Sequence, residues 1–316
     1  MSGWRQPARA PPDMKSIIIL IPYFGRWPFW MDAFLLSCAC NPSVHWLFFT
    51  DCGVPARAPG NVFFRELSFD QYKRRAGAAL GIELDASRPY KLCDLRPAYG
   101  LIHENEIRGF DFWGFGDIDV IYGDLRAYFD ERRLARYHLL SCHGRRISGH
   151  LTLLANTELM RNAFRQVPDW ADLMRGRHVA FDERRFSRLF LRHRSWPKWF
   201  RDWVYRKDPY MRAVEFNETY STGFCGVPWI DGSFDCPTAW YWRDGKLTNN
   251  LTGNREFPYL HFVKWKQEDW RTAEPGRFFN IDARQLRQGF MISAEGFHPL
   301  SSSPERMRKD RAISPN

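Results

Sequence analysis

The chain has 316 residues, 44% of them hydrophobic, and a formal net charge of +10. This length and apolar content predict a globular protein with one large α/β domain or two smaller ones. No apolar run approaches the roughly 20 residues needed to span a bilayer, which excludes a membrane-spanning helix. The positive charge favours anionic partners such as nucleotide diphosphates, anionic lipid or nucleic acid, and does not choose among them.

The ends of the chain and its cysteines suggest where the protein works. The apolar run at 17–21 is shorter than a signal-peptide core of roughly 7–15 residues, which favours a cytosolic location. Met14 is an alternative start, and we expect 1–13 to be a flexible tail. A single domain is expected at 14–280, followed by a partly disordered extension at 281–316. The seven cysteines include no Cys-x-x-Cys pair, which favours reduced core thiols over a zinc site or a disulfide framework.

The first part of the chain alternates strand and helix patterns. Helical spacing covers 29–40, and Ser68 begins a capping-box pattern for a helix that ends near Gly81. β-Branched and apolar runs predict strands at 16–21, 44–49 and 62–67. This alternation is typical of a parallel, Rossmann-like sheet.

Two carboxylates follow a buried strand near the middle of the chain. The aromatic run 110–115 predicts that strand, Asp117 and Asp119 follow it, and 120–122 resumes a strand pattern before the turn at 123–124. Ligands bind beyond the carboxyl ends of strands in open α/β sheets. Buried carboxylates also need a cation beside them. Two hard oxygen ligands at this place suit Mg²⁺ or Mn²⁺ carrying a phosphate.

Residues 184–212 combine many arginines and lysines with large aromatic residues. Three interpretations fit this basic aromatic insertion. It packs as a helical lid over an acceptor cleft, or it lies on an anionic membrane surface. The third, binding of single-stranded nucleic acid, is the least expected.

A histidine near the end of the chain is a candidate third metal ligand. His261 lies in the run 258–265, and imidazole is the usual nitrogen ligand added to two carboxylates at a Mn²⁺ site. A single histidine is more often structural, so its proximity to the acidic pair decides between the two roles.

The acidic turn carries a resemblance to a known class of enzymes. Asp117-Ile118-Asp119 followed by Gly123-Asp124-Leu125 resembles the Asp-x-Asp motif of GT-A glycosyltransferases, most closely the retaining family-8 and family-32 type. In those enzymes the carboxylates hold a divalent metal on a nucleotide-sugar diphosphate. The run "PYKLCDLRPAYG … GDIDVIYGDL" is similar to that of a group of uncharacterised bacterial glycosyltransferases. A surface turn with two solvated carboxylates is the alternative.

The resemblance implies an α/β fold of the GT-A type, with a Rossmann-like mixed sheet flanked by helices and the basic aromatic insertion at 184–212. It implies that Asp117, Asp119 and His261 bind Mn²⁺ or Mg²⁺. His261-Phe262 followed by Lys264 looks like the late His-Phe element of family 8, although the glycine and the Lys-Pro-Trp of that family are absent.

The resemblance also implies a donor site and a reacting face. Asp182 and Glu183 are the candidate catalytic pair beside the donor sugar. It implies that the donor is bound by two loops beside the base and ribose, by contacts to the diphosphate and by contacts to the sugar. The candidate donor-binding residues are Pro22, Tyr23, Asp51, Lys91, Asp94, Arg96, His150 and Lys264. Each has an ordinary structural alternative, such as a helix cap, a packed ring or a salt-bridged helix face.

Taken together, these features predict a metal-dependent glycosyltransferase of the hexosyltransferase type. It would transfer a sugar from a nucleotide diphosphate sugar to a glycan or lipid-linked acceptor, with retention, in surface polysaccharide assembly. We expect it in the cytoplasm, peripherally on the inner face of the membrane. Two alternatives stay open: a metal-dependent phosphotransferase or nuclease, and a non-catalytic module that binds lipid or nucleic acid.

Overall fold

A computed structural model of the chain describes residues 13–85, 87–192, 195–222, 227–268, 270 and 275–300. The strands in this part of the chain are β1 Ile17–Pro22, β2 Val44–Thr50, β3 Val62–Glu66, β4 Phe112–Gly116, β5 Val120–Tyr122, β6 Leu139–Ser141, β7 Leu151–Ala155, β8 Val214–Phe216, β9 Ala239–Arg243, β10 Lys246–Asn249, β11 Tyr259–His261, β12 Phe290–Ser293 and β13 Gly296–Pro299.

The helices are mostly short and lie between these strands. The α-helices are α1 Met31–Ala39, α2 Phe69–Leu80, α3 Tyr99–Ile102, α4 Glu104–Ile107, α5 Leu125–Tyr128, α6 Glu131–Arg136, α7 Glu158–Arg161, α8 Trp170–Arg175, α9 Ser187–Phe190, α10 Lys198–Lys207, α11 Val263–Glu268 and α12 Ala283–Gln288. Residues Pro89–Ala98, Ala163–Gln166 and Pro275–Arg277 form 3₁₀ turns, and Phe181–Phe186 forms a π-helix. No helix of the described residues is both long enough and apolar enough to cross a bilayer.

A mixed sheet of seven strands organises the fold, in the order β3-β2-β1-β4-β7-β6-β8. The first four strands are parallel, and β7 pairs antiparallel with both β4 and β6. Along β1, Ile17 and Ile19 belong to one apolar core while Ile18 and Leu20 belong to another. Because successive side chains of a strand point to opposite faces, the sheet is covered on both sides. The predicted Rossmann-like mixed sheet flanked by helices is therefore confirmed.

Local signals in the sequence explain several of the element ends. The predicted capping box is present: the Ser68 side chain accepts from the Gln71 backbone, and the Gln71 side chain accepts from the Ser68 backbone. The helix ends at Gly81, whose φ of 70° lies in the left-handed region that glycine adopts without strain. Asp124 of the acidic motif caps α5 by accepting from the Arg126 and Ala127 backbones.

A smaller antiparallel sheet, in the order β10-β9-β12-β13, lies beside the first. In this sheet β9 pairs with both β10 and β12. Residues 281–300 of the expected C-terminal extension therefore form α12 and two strands of this sheet, whereas 301–316 lie outside the described residues. The predicted 1–13 tail also falls outside them, except for Asp13.

One cysteine departs from the prediction of reduced thiols. Cys236 is disulfide-bonded, while Cys38, Cys40, Cys52, Cys93 and Cys142 are free. Pairing depends on which cysteines the fold brings together, and the spacing of cysteines in the sequence does not show this. At this position the thiol argument for a cytosolic location does not hold.

Strands β5 and β11 form a separate antiparallel pair, in which His261 lies opposite Val120 and Tyr259 lies opposite Tyr122. Gly123 follows β5 at a point where the backbone comes close to the segment that leads into β11. A Cβ on Gly123 would lie 2.3 Å from the Phe257 carbonyl oxygen, and its N–H donates to the Pro258 carbonyl at 2.9 Å. The glycine of the Gly-Asp-Leu run is thus required for the pairing of β5 with β11.

We expect Gly123→Ala to destabilise the protein by about 1–3 kcal/mol, because the added methyl group collides with backbone that has little room to move. Gly60→Ala is the matched control, since a Cβ there would meet nothing within 4 Å. Urea unfolding of both variants gives the comparison. Equal free energies of unfolding for the two would contradict the role of Gly123.

Candidate functional site

The acidic pair lies directly after β4, a fully buried strand between β1 and β7. The Asp117 N–H donates to the His150 carbonyl at 3.3 Å, and Asp119 is buried. The Asp119 carbonyl accepts from the Phe262 N–H at 3.2 Å. The main chain thus fixes both carboxylates at the edge of the sheet where the sequence placed them.

The structure brings all three predicted metal ligands together. One ligand atom from each of Asp117, Asp119 and His261 lies within 4.8 Å of the others. His261 Nε2 lies 3.8 Å from Asp117 Oδ2 and 3.6 Å from Asp119 Oδ2. His261 Nδ1 is buried and makes no hydrogen bond, and Asp119 Oδ2 is buried without a hydrogen bond of regular geometry. Two carboxylates and one imidazole gathered around a buried carboxylate oxygen fit a divalent cation such as Mn²⁺ or Mg²⁺.

A lysine that the sequence interpretation missed completes this cluster. Lys266 Nζ lies 2.5 Å from Asp119 Oδ2. Burial alone would raise the pKa of Asp119, but the charges of His261 and Lys266 lower it well below its usual range. Lys264, predicted to contact the donor, instead lines another cavity beside β9 and β10. Residues two positions apart in a helix point about 200° apart around its axis. Only one of these two lysines can therefore face the carboxylates.

Arg96 joins the acidic pair to a third carboxylate. Its guanidinium contacts Asp117 Oδ1 through Nη2 and lies 3.2 Å from Asp182 Oδ2 through Nη1. Burial lowers the pKa of Arg96, but Asp117, Cys93 and Asp182 raise it well above the usual arginine value. Arg96 is therefore a fixed cation between the two carboxylates.

Asp182 is buried, whereas Glu183 is partly exposed and lies 3.4 Å from Arg146 Nε. Burial raises the pKa of Asp182 to about 6, although the charge of Arg96 opposes this shift. Gly149 opens the space around this pair: a Cβ there would lie 2.5 Å from Arg96 Nη1 and 3.2 Å from Glu183 Oε1. Any larger residue at 149 would displace the Arg96–Asp182 contact.

A cavity of about 240 Å³ opens in front of the acidic pair. Five of the predicted site residues line it together with Lys266; they are Pro22, Tyr23, Arg96, Asp117 and Asp119. Burial, with smaller effects from Cys52 and Asp119, raises the pKa of Tyr23 to about 12. The Tyr23 ring stacks on Trp27 with centroids 5.3 Å apart. Its neighbour in the prediction, Asp51, accepts from the Gly25 N–H at 2.8 Å and does not line the cavity.

Two predicted donor contacts have other partners. Lys91 Nζ donates to Asp94 at 2.8 Å and to the carbonyls of Leu173 at 2.7 Å and Arg177 at 2.9 Å. An ammonium group has three donors, so these three bonds use all of them. Asp94 is buried and accepts from the backbones of Val179 and Phe181. This network anchors the segment that leads into Asp182, which is a positioning role, and neither residue enters the donor site that we propose.

His150 packs against His261. Its ring stacks on that of His261 with centroids 4.4 Å apart, and its Nδ1 lies 2.6 Å from the Tyr259 hydroxyl. Burial lowers the pKa of His150 well below the usual histidine value, and the proximity of His261 lowers it further. His150 therefore orients the His261 ring, and it does not line the cavity where a sugar contact was expected.

The fold and this cluster define a mixed α/β protein with two carboxylates and an imidazole gathered at one edge of its sheet, where they could hold a metal ion. Residues 19–297 match the family model for DUF6625, described as a family of unknown function, and the chain belongs to that family. No curated protein matches the chain.

Several solved structures show a distant likeness to the chain. The galactosyltransferase LgtC in complex with donor and acceptor sugar analogs is 10% identical, with 93% of this chain and 99% of that chain covered and a TM-score of 0.44. Mouse xyloside xylosyltransferase 1 is 10% identical, with 79% and 98% covered and a TM-score of 0.38. The glycosyltransferase GlyE of Streptococcus pneumoniae TIGR4 is 13% identical, with 67% and 47% covered and a TM-score of 0.33. The function of the chain has to be argued from its own site.

The buried Asp182 should make stability depend on pH. Folding raises its pKa from 3.8 to about 6, so between these values the native state holds more protons than the unfolded state. Stability then falls as the pH rises through this window. Asp182→Asn removes this titrating group. The free energy of unfolding of the variant, measured relative to that of the unchanged protein, should therefore rise across the window by up to about 3 kcal/mol. Urea unfolding in the presence of a chelator measures both proteins, and identical pH slopes would contradict the assignment.

Proposed function

We propose that the chain is a metal-dependent glycosyltransferase of the GT-A type, which transfers a sugar from a nucleotide diphosphate sugar to an acceptor. The observation that carries this proposal is the meeting of Asp117, Asp119 and His261 at the edge of the sheet, beside a cavity that Tyr23 and Arg96 also line. These three ligands come from segments that are distant in the sequence. A surface turn with two solvated carboxylates would not be expected to lie beside a buried imidazole.

Asp117, Asp119 and His261 hold the ion in this proposal. A divalent ion bound there supplies Lewis-acid charge to the leaving diphosphate. Arg96 and Lys266 lie on either side of the acidic pair, so their charges can stabilise further diphosphate oxygens. The Lys266 side chain is 37% exposed and can turn from Asp119 towards a phosphate, whereas the buried Arg96 stays in place.

The cavity walls suggest how the rest of the donor is bound. Pro22 ends β1, Tyr23 follows it, and both line one wall of the cavity, where the Tyr23 ring can pack against the base or ribose. Asp51 is bonded to the Gly25 N–H, two residues after Tyr23, and in this proposal it accepts from a ribose hydroxyl. We assign donor binding to these three residues together with Arg96 and Lys266.

Asp182 and Glu183 are the proposed groups at the reacting face. A carboxylate near the anomeric carbon stabilises the positive charge that develops there as the diphosphate leaves. Arg96 holds Asp182 at a fixed distance from the acidic pair, so the position of the leaving group and that of the supporting carboxylate are linked. We propose retention of configuration, transfer of a hexose and a glycan or lipid-linked acceptor in surface polysaccharide assembly at the cytoplasmic face of the membrane.

The metal site can be tested by thermal unfolding with Mn²⁺ and a panel of nucleoside diphosphates and nucleotide sugars. Mn²⁺ at a hundred times its dissociation constant should add about 2.7 kcal/mol of stability. Asp119→Asn and His261→Ala should lose this gain, because each removes a ligand of the ion. Asp32→Asn and His298→Ala, which alter a carboxylate and an imidazole outside the cluster, are the matched controls and should keep it.

Several outcomes of that panel would count against the proposal. Stabilisation by no nucleotide, with or without metal, would contradict it. Metal-dependent cleavage of nucleic acid, or phosphoryl transfer from a donor without sugar, would favour a nuclease or phosphotransferase. Binding of lipid or nucleic acid that Asp119→Asn leaves unchanged, without nucleotide binding, would favour a non-catalytic module.

The two lysines of α11 provide a separate prediction. Lys266→Ala should weaken binding of the nucleoside diphosphate about ten- to a hundredfold, which corresponds to the loss of one charge-assisted hydrogen bond. Lys264→Ala, on the opposite side of the same helix, should change the affinity less than about twofold, because its side chain lines another cavity. Isothermal titration of both variants in Mn²⁺ measures this, and the reverse order of effects would contradict the placement of Lys266.

A further inference from the structure

Helix α10 is an unusual surface element because none of its described side chains is buried. Trp199 is 74% exposed and Trp203 is 52% exposed, and Trp196, just before the helix, is 38% exposed. The four rings of Trp196, Trp199, Phe200 and Trp203 follow the i, i+3, i+4, i+7 spacing that puts residues on one side of a helix. We call these four residues the aromatic face.

The rings of the aromatic face contact one another. The centroid of Phe200 lies 5.0 Å from that of Trp196, 5.5 Å from that of Trp199 and 5.8 Å from that of Trp203. None of these rings belongs to the apolar cores formed by the described residues. The preceding helix, by contrast, buries Leu189 and Phe190 in the main core. A contiguous exposed patch of large rings on an otherwise anchored segment marks an interaction surface.

Positive charge surrounds these rings. On a helical wheel, Arg206 and Lys207 fall on the same side of α10 as Trp199 and Trp203. Lys207 Nζ lies 4.3 Å from the centroid of the Trp203 ring. The last turn of α10 thus combines rings and cations on one surface, which is the composition of helices that lie in a membrane interface.

A basic groove lies next to α10. This cavity of about 330 Å³, which we call the arginine groove, is lined by Gln166, Val167, Pro168, Asp169, Leu173, Arg185, Arg188, Leu189 and Arg192. Arg185 lies in the π-helix, Arg188 lies in α9 and Arg192 lies just beyond α9, and all three line the same cavity. Asp169 is the only acidic residue among the lining residues. The Tyr205 hydroxyl of α10 contacts the Arg192 carbonyl, so the groove and the helix are held together.

We propose that the aromatic face and the arginine groove dock the protein on an anionic membrane surface. The tryptophan rings would lie at the level of the headgroups, where amphipathic rings are most stable. The arginines of the groove would bind lipid phosphates, and the net charge of +10 adds long-range attraction. A second copy of the chain is a poorer occupant, because a symmetric contact through this surface would bring arginines against arginines. This inference is independent of sugar transfer, since neither feature contributes to the metal cluster.

The test uses the full chain with phosphatidylcholine vesicles that contain or lack phosphatidylglycerol. We expect co-sedimentation and a blue shift of tryptophan emission with the anionic vesicles only. Raising the salt concentration from about 0.05 M to about 0.5 M should release the protein, because phosphate contacts at a surface are screened. This part of the test needs no variant, so it does not depend on how a variant folds.

Variants then separate the two parts of the surface. Trp199→Ser with Trp203→Ser should weaken vesicle binding at least about tenfold, since two interfacial rings are lost. Arg185→Gln, Arg188→Gln and Arg192→Gln together should weaken it about a hundredfold, at about fivefold for each arginine. The matched controls change equally exposed residues elsewhere: Phe234→Ser for the rings, and a triple glutamine variant for the arginines at Arg74, Arg243 and Arg284. Both controls should bind within about twofold of the unchanged protein.

Other results would overturn the proposal. Equal binding to neutral vesicles, or control variants as weak as the test variants, would show that this surface is not specific for anionic lipid. A dimer in gel filtration that the Trp199→Ser and Trp203→Ser changes dissociate, without vesicle binding, would identify a second copy as the occupant. Tighter binding of a single-stranded oligonucleotide than of vesicles would identify nucleic acid. Stabilisation by Mn²⁺ and nucleotide is measured on the same proteins, so failure of membrane docking is distinguishable from failure of the metal site.

Discussion

The antiparallel pairing of β5 with β11 is the constraint on which the site depends. Only three residue pairs form it, yet it places His261 opposite Val120 and so beside Asp119. Gly123 permits the close approach of the two chains, and the Trp242 side chain donates to the Tyr122 carbonyl at 2.9 Å, which ties β5 to the smaller sheet as well. The sheet edge alone would supply two carboxylates; the pairing adds the imidazole and, one helical turn later, Lys266.

The charges explain why this cluster is suited to a cation. Three carboxylates meet here, those of Asp117, Asp119 and Asp182, against the two cations Arg96 and Lys266. Buried like charges are costly unless they are paired. Burial raises the pKa of Asp182 to about 6, whereas the charges of His261 and Lys266 lower the pKa of Asp119. A divalent ion held by the acidic pair would more than offset the remaining negative charge, and it would allow Lys266 to bind a phosphate.

Local sequence patterns predict much of the fold, whereas much of the site depends on contacts between distant segments. A continuous β-branched run predicted β1, an apolar run predicted β2, and the Ser68–Gln71 box predicted where α2 begins, because these patterns act within a few residues. The three candidate metal ligands lie together as expected, because a strand end followed by two carboxylates restricts where the acidic pair can lie. Lys264 was predicted from the likeness of His261-Phe262 followed by Lys264 to the late His-Phe element. Lys266 lies beside Asp119 instead, because the start and rotation of α11 depend on packing. The bonds of Lys91 to the carbonyls of residues 173 and 177 are likewise set by a distant segment, and the spacing of the cysteines does not show the disulfide at Cys236.

The claim that one divalent ion joins the acidic strand end to His261 can be tested directly by anomalous diffraction at the manganese edge. Crystals would be grown with Mn²⁺ and a nucleoside diphosphate. The account predicts one strong peak within about 2.0–2.3 Å of carboxylate oxygens from Asp117 and Asp119 and of His261 Nε2, with diphosphate oxygens completing the coordination. A peak at another place on the protein, or a bound nucleotide with no manganese beside these three residues, would contradict it.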